Sequence, residues 1–429
     1  MTLEQLTKTA PTPQQGFDYD LAIVGGGIVG ATLACSLKDS GLSVVLIEAQ
    51  PQSVAAAKIQ SYAVSLLSGR IFEGIGVWEK ILPQITTFRQ ISLSDADYPG
   101  VVQFHPTDLG TESLGYVGEH RPLLTSLQEF LTECPNVSWL CPAEVVDVEY
   151  QASGVEIKLK MAGTGRQLRT RLVVAADGAR SQIRTAAGIG TKGWQYWQSC
   201  ITARIKTEKP HNYTAFERFW PSGPMGVLPL EGNRCQVVWT APHAEAQALK
   251  ELDEAEFLAE LERRTAGLLG RLELENQRFL FRVQLMQSDR YTQSRLALIG
   301  DAAHCCHPVG GQGLNMGIRD AAALAQVLQE AKLRGEDIGD LQVLRRYENW
   351  RKLENWTILG FTDILDRMFS NNWLLVVKTR RLGLWMLQNI PLFKSLALRL
   401  MTGLLGRIPK IAQGAGPTKR KVLTNSLTP

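Results

Sequence analysis

Residues 297–320 read ALIGDAAHCCHPVGGQGLNMGIRD, and this stretch decides the fold of the chain. The apolar residues 296–299 predict a buried strand that ends beside Asp301. A glycine-rich loop at 310–313 then leads into an apolar-periodic helix predicted over Leu314–Leu328. Loop amides at a helix N-terminus suit an anion, and a carboxylate can accept hydrogen bonds from sugar hydroxyls. The stretch therefore predicts a site for a phosphorylated, hydroxylated ligand.

A second glycine-rich loop, GGGIVG at 25–30, lies between a short apolar strand and a helix, and the next strand ends at Glu48. This is the GxGxxG pattern of a dinucleotide-binding unit in its required context. In that pattern Gly25 makes the tight turn, Gly27 lets a pyrophosphate approach the backbone, and Gly30 lets helix and strand pack closely. An acid at position 48 favours an unphosphorylated ribose, as in FAD or NAD. One large ligand held from both ends of the chain is the simplest account of the two loops.

The composition is that of a folded soluble protein of more than one domain, with 429 residues, 45% hydrophobic and 21% charged. The seven cysteines form no CxxC pair, and the six histidines show no metal-binding spacing. We therefore expect a reduced, cytoplasmic chain with no metal site. The N-terminus lacks the pattern of a signal peptide, and no apolar window is long enough to predict a membrane span.

Charge is distributed unevenly along the chain. Residues 367–429 carry eleven basic residues and no acid, whereas the whole chain has a net charge of +4. Within this segment Trp373–Ile408 is apolar and contains six of the cations. Such helices are typical of peripheral binding to an anionic membrane surface. The alternative is that they cover the protein body with their charges solvated; a nucleic-acid partner is not expected, because the segment is too apolar and the body is acidic.

Several other segments have a predicted structure. Tyr62–Leu67 is predicted to be helical, and a strand over Leu280–Gln287 is predicted to return to the first domain. Arg121, at a predicted helix start, could contact a cofactor phosphate or be a solvated residue near the cap. Asp177 ends a predicted strand and, with Arg180, suits either a charged ligand or a helix cap.

Three motifs in order carry a family resemblance: GGGIVG at 25–30, ADGARSQIR at 176–184, and the stretch at 296–320. They resemble the group A flavoprotein monooxygenases with the p-hydroxybenzoate hydroxylase fold. The resemblance narrows to the ubiquinone-biosynthesis hydroxylase family and covers about residues 18–408. The motifs that narrow it are GWQY at 193–196, AFERF at 215–219, GP at 223–224 before LPL at 228–230, and Tyr347 with Arg351.

The resemblance implies an α/β fold: a Rossmann-like FAD-binding domain, an inserted antiparallel-sheet substrate domain and a C-terminal helical region. The predicted ranges are 18–190 with 285–340 for the FAD-binding domain, 191–284 for the substrate domain, with a contribution from 91–120, and 341–410 for the C-terminal helices. Residues 1–17 and 411–429 are predicted to be a disordered N-terminus and tail.

The resemblance also implies roles for individual residues. The first loop and Glu48 would hold the ADP half of FAD, Asp301 the ribityl and pyrophosphate side, and the amides of 310–315 the flavin ring. Asp177 and Arg180 would lie where the FAD and NAD(P)H paths meet. No catalytic side chain is expected, since the chemistry is the flavin's. The predicted cofactor-binding residues are Gly25, Gly27, Gly30, Glu48, Arg121, Asp177, Arg180, Asp301, Gly311, Gly313, Leu314 and Asn315.

The implied reaction is hydroxylation of an aromatic ring, a prenylated phenol of quinone biosynthesis, through a flavin C4a-hydroperoxide. NADH or NADPH would act as a transient electron donor, and the partners would be O2, a lipophilic phenol or quinone precursor, a membrane surface and a quinone-synthesis complex. Two alternatives stay open: a prenyl-lipid reductase or cyclase, and a non-catalytic FAD subunit of such a complex. The family usually has an arginine where Gln60 stands here, which leaves donor binding open.

Overall fold

The computed structural model describes residues 16–95 and 100–414. Most of the predicted disordered N-terminus and tail lies outside these ranges. Inside them, Lys410–Ala412 forms a 3-10 turn, and Ala412 is buried. An ordered segment therefore continues past residue 411, where the tail was predicted to begin.

Twenty strands are described. In chain order they are β1 Tyr19–Val24, β2 Val44–Ile47, β3 Ser61–Val64, β4 Thr86–Phe88, β5 Gln90–Asp95, β6 Val101–Phe104, β7 Gly115–Glu119, β8 Val137–Leu140, β9 Glu144–Tyr150, β10 Val155–Met161, β11 Thr164–Ala175, β12 Thr191–Thr207, β13 Thr214–Trp220, β14 Gly223–Leu230, β15 Arg234–Pro242, β16 Leu272–Leu274, β17 Phe279–Ser288, β18 Thr292–Gln293, β19 Leu296–Leu298 and β20 His304–Cys305.

Twelve α-helices are described in the same ranges. They are α1 Ile28–Ser36, α2 Gln52–Ala56, α3 Leu66–Ile75, α4 Trp78–Ile81, α5 His120–Leu131, α6 Gln182–Ala186, α7 His243–Glu251, α8 Glu254–Arg264, α9 Gly313–Leu333, α10 Leu341–Phe369, α11 Leu374–Asn389 and α12 Pro391–Met401.

The first sheet has parallel strands in the order β19-β11-β1-β2-β8, with β18 antiparallel at one edge and the hairpin β9–β10 attached to β11. Every residue of β2 and all but the first of β1 are buried, as expected for strands covered on both faces. Helices α1 and α9 pack together against this sheet. The carboxyl ends of β1, β11 and β19 consequently lie side by side, where ligands bind in such sheets.

The second sheet is mainly antiparallel, in the order β20-β17-β12-β15-β14-β13-β5-β6, with β16 beside β12. Strands β5 and β6 come from the 91–120 segment and join β13. Strand β17 pairs with β12 over most of its length, so the prediction that Leu280–Gln287 returns to the first domain is wrong. The two sheets and the helices confirm the predicted α/β class, while the domain boundaries stay a prediction.

A small third sheet, β3-β7-β4, corrects another expectation. Tyr62–Leu67 was predicted to be helical, but Ser61–Val64 is a strand paired with β7, and α3 begins only at Leu66. Ser65 is the N-cap of α3, and its hydroxyl accepts a hydrogen bond from the Ser68 amide. A cap at this position places the helix start after the apolar residues that suggested a longer helix.

The C-terminal helices are part of the protein body. Arg380 of α11 and Asp95 of β5 form a buried ion pair, with Nε to Oδ2 at 2.7 Å and both side chains 1% exposed. Phe369, at the end of α10, stacks on Phe219 of β13 with ring centroids 3.9 Å apart. Helices α10 and α11 are therefore fixed to the second sheet by one charged and one aromatic contact.

We expect Arg380→Ala to lower the free energy of unfolding by about 3–5 kcal/mol, because it leaves the Asp95 carboxylate buried without a counterion. Urea denaturation measures the change. Arg399→Ala is the control, since Arg399 is exposed and has no ion pair within the described ranges; its effect should stay within about 0.5 kcal/mol. Equal stability of the two variants would contradict a structural role for the buried pair.

Candidate active site

The two glycine-rich loops are adjacent in space. Strand β1 pairs with β11, and β11 pairs with β19, so the turns after all three strands meet at one sheet edge. A Cβ on Gly300 would lie 3.2 Å from a methyl group of Val29, and one on Gly317 would lie 2.6 Å from the other. Glycine at 300 and 317 thus allows α1 and α9 to approach each other. The fold brings together the loops that the sequence assigned to one ligand.

The first loop has the geometry that the GxGxxG pattern predicts. Gly25 has φ of +108°, and a Cβ there would lie 2.3 Å from the carbonyl oxygen of Ala176. A Cβ on Gly30 would lie 1.9 Å from the Gly25 carbonyl oxygen. A Cβ on Gly27, in contrast, would have no other atom within 4 Å. The first and third glycines are therefore required by the fold, and the second faces open space, as an approaching pyrophosphate needs.

Glu48 is half-buried, and its carboxylate forms a hydrogen bond with the backbone of the first loop. Its Oε2 accepts a hydrogen bond from the Gly26 amide at 2.8 Å, and its Oε1 accepts one from the Gln50 amide at 2.9 Å. The carboxylate is thus already oriented at the end of β2. Its predicted contact with a ribose stays a prediction.

Asp177 lies beside the first loop, at the end of β11. Its Oδ2 accepts a hydrogen bond from the Ile183 amide at 3.3 Å, while its Oδ1 is buried without a partner in the described ranges. Arg180 and Arg121 are exposed, and neither lines the central cavity described below. Asp177 does not line that cavity either, so the roles of all three residues in cofactor binding stay predictions.

Asp301 follows β19 and faces the cavity. Burial raises the pKa of this carboxyl, and the carboxylate accepts no hydrogen bond from any residue in the described ranges. Asp301 is nevertheless exposed to the open cavity, so the surrounding protein desolvates the carboxyl while its oxygens stay accessible to a ligand. Asp301 therefore fits the predicted role of accepting hydrogen bonds from ligand hydroxyls.

A buried ion pair beneath Asp301 was not predicted. Asp320 of α9 contacts His304 Nε2 at 2.5 Å and Arg351 Nε at 2.8 Å, and it accepts a hydrogen bond from the Gly300 amide at 3.1 Å. Burial alone would raise the pKa of Asp320, but His304 and Arg351 lower it to about 2. The turn that carries Asp301 is thereby fixed to α9 and α10.

The second loop is shaped by Gly310 and Gly311, with φ of +69° and +60°. The side chain of Asn315 is used internally: its amide group donates to the carbonyls of Ala63 and Gly311, and its Oδ1 accepts from Ser65 and Ser68. Among the predicted binding residues of this loop, Asn315 can therefore offer a ligand only its backbone. Gly311, Gly313 and Leu314 line the cavity, and their contact with the flavin stays a prediction.

A cavity of about 500 Å³ connects these groups to the second sheet. One end carries Asp301 and residues 308–315, and the other is walled by β5, β13, β14 and the inner faces of α10 to α12. The walls are predominantly apolar. Their large side chains include Phe88, Ile91, Leu93, Phe104, Phe216, Phe219, Leu228, Phe281, Phe361, Leu365, Leu387, Leu398 and Met401.

Gln60 stands at the cavity rim. Its Oε1 accepts a hydrogen bond from the Tyr62 hydroxyl at 2.8 Å, and that hydroxyl lies 3.1 Å from Nδ1 of His120. Nε2 of His120 lies 3.0 Å from the Ala55 carbonyl oxygen. Gln60, where the family resemblance led us to expect an arginine, thus belongs to a cluster of three side chains that contains neither lysine nor arginine.

One cavity residue, Glu217, was noticed only as part of a family motif. Burial raises the pKa of its carboxyl to about 7. No periodicity or spacing distinguishes an acid within a strand that faces a cavity from one that faces water. Among the described residues, no group of three or more histidines, cysteines and acids could hold a metal ion.

These features fit FAD. The open space over Gly27, the unpartnered Oδ1 of Asp177 and the unpaired carboxylate of Asp301 lie along one sheet edge, as a long ligand with pyrophosphate and hydroxyl groups requires. The loop at 310–315 lines the same cavity as the apolar side chains of the second sheet and the C-terminal helices. A flat ring system bound there would have protein amides on one side and the apolar chamber on the other.

Comparisons with known proteins support FAD as the cofactor. The FAD binding domain family matches residues 18–362. An uncharacterised protein of Synechocystis, slr1300, is 54% identical over 92% of this chain and 96% of its own length. Ubiquinone hydroxylase UbiL of Rhodospirillum rubrum is 38% identical over 90% of both chains. The solved structure of p-nitrophenol 4-monooxygenase PnpA from Pseudomonas putida shares the fold, with a TM-score of 0.74 and 19% identity over 90% of this chain and 98% of its own.

We expect Asp301→Ala to lose most of the bound FAD, because it removes a charged hydrogen-bond acceptor that faces the open cavity. Flavin absorbance per mole of purified protein measures occupancy. Asp289→Ala is a control, since Asp289 lies on a surface turn with its side chain 44% exposed. Full flavin content in the Asp301 variant would remove Asp301 from the cofactor site.

Proposed function

The chain belongs to the FAD binding domain family and is an FAD-dependent monooxygenase, and from that premise we propose that it hydroxylates the aromatic ring of a lipophilic quinone precursor. The single observation that carries the proposal is the cavity, in which an acid and a glycine loop suited to the flavin open directly onto an apolar chamber. The similarity to a ubiquinone hydroxylase supports a prenylated phenol as the substrate class.

The chamber suits a ring with a hydrocarbon tail. Its walls come from the second sheet and from three C-terminal helices, and the only charged side chains among its described lining residues are Asp301 and Glu217. Burying apolar surface contributes about 25 cal/mol per Å², so a prenyl chain placed here stabilises the complex without polar contacts. A hydrophilic substrate would leave its own groups unpaired against these walls.

When bound, FAD accepts two electrons from NADH or NADPH and, with O2, supplies an electrophilic oxygen atom. The chain contributes orientation and a dry site. Asp301 would hold the ribityl hydroxyls, and the amides of residues 310–315 would stabilise negative charge on the ring system. The apolar walls exclude water from the reacting centre.

The outer faces of α11 and α12 support a membrane-facing entrance. Leu375, Lys378, Leu382 and Trp385 recur at spacings of three and four residues and are all exposed, which places them along one face of α11. The opposite face carries Arg380, Leu384 and Leu387, which point inward.

Helix α12 has the same arrangement. Leu392 and Leu396 are exposed, as is Arg399, whereas Leu398 and Met401 line the cavity. The wall of the chamber is therefore the inner side of an apolar, cationic surface, as a substrate dissolved in lipid requires. No helix of the described ranges is long and apolar enough to cross a membrane.

The structure revises the expected number of membrane-facing cations. Of the six basic residues in Trp373–Ile408, Arg380 is buried against Asp95, Lys394 pairs with Asp108 at 2.9 Å, and Arg407 stacks on Trp350. Lys378 and Arg399 are exposed without an ion pair in the described ranges. Deleting Trp373–Ile408 would also remove a wall of the cavity. Point substitutions are therefore the appropriate test of membrane binding.

We expect NAD(P)H oxidation by the flavin-loaded protein to consume O2 and to release H2O2 when no phenol is present, because reduced flavin then reacts without an oxygen acceptor. Adding a substrate phenol should convert H2O2 release into hydroxylated product. An oxygen electrode and a peroxide assay follow both. Anaerobic turnover to a saturated or cyclised product would instead indicate a reductase or cyclase.

We expect the protein to bind anionic vesicles in a salt-sensitive way, and Trp373→Ala with Leu375→Ala to weaken binding at least ~10-fold. Both side chains are 78% exposed, and each buries apolar surface in the headgroup region. Vesicle sedimentation measures binding. Leu333→Ala, an exposed leucine on α9, is the control and should bind as the unsubstituted protein does. Equal binding by all three proteins, or none by any, would contradict the membrane-facing entrance.

A further inference from the structure

The apolar chamber contains one acid that the cofactor site does not use. Glu217 lies on β13, where alternation places Ala215, Glu217 and Phe219 on the face toward the cavity. Its register partner on β14 is Gly226, and a Cβ built on that glycine would lie 3.4 Å from Glu217 Oε2. The carboxyl group therefore lies beside Gly226, in an otherwise apolar wall.

Glu217 has no charged partner. It forms no ion pair and no hydrogen bond with a side chain in the described ranges; the Gly310 amide is the single group that favours its charged form. The other titratable groups that line the cavity are Tyr62, Asp301, Cys305 and Cys306, and none of them is a cation. Burial consequently raises the pKa of this carboxyl to about 7.

A structural explanation of Glu217 is weak. A buried acid without a partner lowers the free energy of unfolding relative to an uncharged side chain of the same shape. The nearby Gly310 amide belongs to the loop expected to contact the flavin ring, so Glu217 lies at the junction between the cofactor end and the apolar chamber. Other polar groups of the sheet line the cavity, including Gln236, whose Oε1 has no partner in the described ranges, but Glu217 is the one acid of the described sheet strands that does so.

We propose that Glu217 binds the phenolic hydroxyl of the substrate and accepts its proton as the ring is hydroxylated. The inference rests on the proposed function and deepens it, because it names the group on the ring that the chamber recognises. A free hydroxyl is then required, and a ring whose hydroxyl is methylated lacks the proton that Glu217 accepts.

The proton and electrons balance as follows. The phenolic O–H bond breaks, its proton moves to Glu217, and the oxygen's electron pair enters the ring, whose carbon bonds to one oxygen atom of O2. The two electrons of NAD(P)H, with protons from solvent, reduce the other oxygen atom to water. The ring then releases its C–H proton to solvent and regains aromaticity, the newly attached oxygen takes a proton from solvent, and Glu217 returns its proton to the phenolic oxygen. General base catalysis of this kind typically contributes about 10²–10⁴-fold in rate.

The test uses the full-length flavoprotein with 2-geranylphenol and 4-geranylphenol as probes and their methyl ethers as controls. Hydroxylated product and H2O2 are measured separately from pH 5.5 to 9. In the unsubstituted protein, product formation should fall as the pH drops below about 7, because the carboxylate becomes protonated and can no longer accept the proton. This measurement needs no variant.

Glu217→Gln should lower product formation at pH 8 at least ~100-fold and abolish the acid limb, while flavin content and H2O2 release persist. Glu217→Asp should restore a pH-dependent rate. Glu231→Gln makes the same change at an exposed site on the turn after β14 and should behave as the unsubstituted protein.

Each outcome decides between the claims. Hydroxylation by Glu217→Gln with an unchanged rate and pH profile would overturn the role of Glu217 and leave the proposed function standing. Equal hydroxylation of phenols and methyl ethers by the unsubstituted protein would also overturn the role of Glu217 and leave the proposed function standing. No hydroxylated product from any phenol probe would overturn the proposed function and this inference with it.

Discussion

The buried carboxylate of Asp320 is the contact on which the site depends. It lies within α9, yet it binds the imidazole of His304, the guanidinium of Arg351 in α10 and the amide of Gly300. Asn355 adds a further hydrogen bond at 3.0 Å. A buried anion is tolerated because its partners are this close, and removing one of them would leave the charge uncompensated.

The position of that carboxylate has consequences for the cofactor site. Asp320 fixes the backbone of Gly300 through a hydrogen bond. The next residue, Asp301, lines the cavity, and its carboxylate has no hydrogen-bond partner in the described ranges. The helix that carries Asp320 also begins at the second glycine loop. This carboxylate and its partners thus orient the acid, the loop and the two long helices.

The C-terminal helices have two roles because each has two different faces. Their inner faces complete the chamber and are fixed to the second sheet through Arg380 and Phe369. Their outer faces keep large apolar groups exposed, which is unfavourable in water and suits a lipid interface. An amphipathic helix can therefore be both a wall and a contact surface, so the two sequence interpretations of this segment do not exclude each other.

The sequence by itself determined the elements whose signals are local. The strand–glycine loop–helix units at 25–30 and 296–320 and the long helices α9 and α10 follow from apolar periodicity and from glycines required by close backbone contacts. Local patterns failed at Tyr62–Leu67, where pairing with β7 outweighed helical periodicity, and at β17, which stays in the second sheet.

Only the tertiary structure decided that Asn315 is used internally and that Arg380 is buried. It also showed that Asp320 supports Asp301 and that Glu217 faces the chamber, because each depends on partners from distant parts of the chain, and a one-dimensional pattern carries no information about which side chains meet.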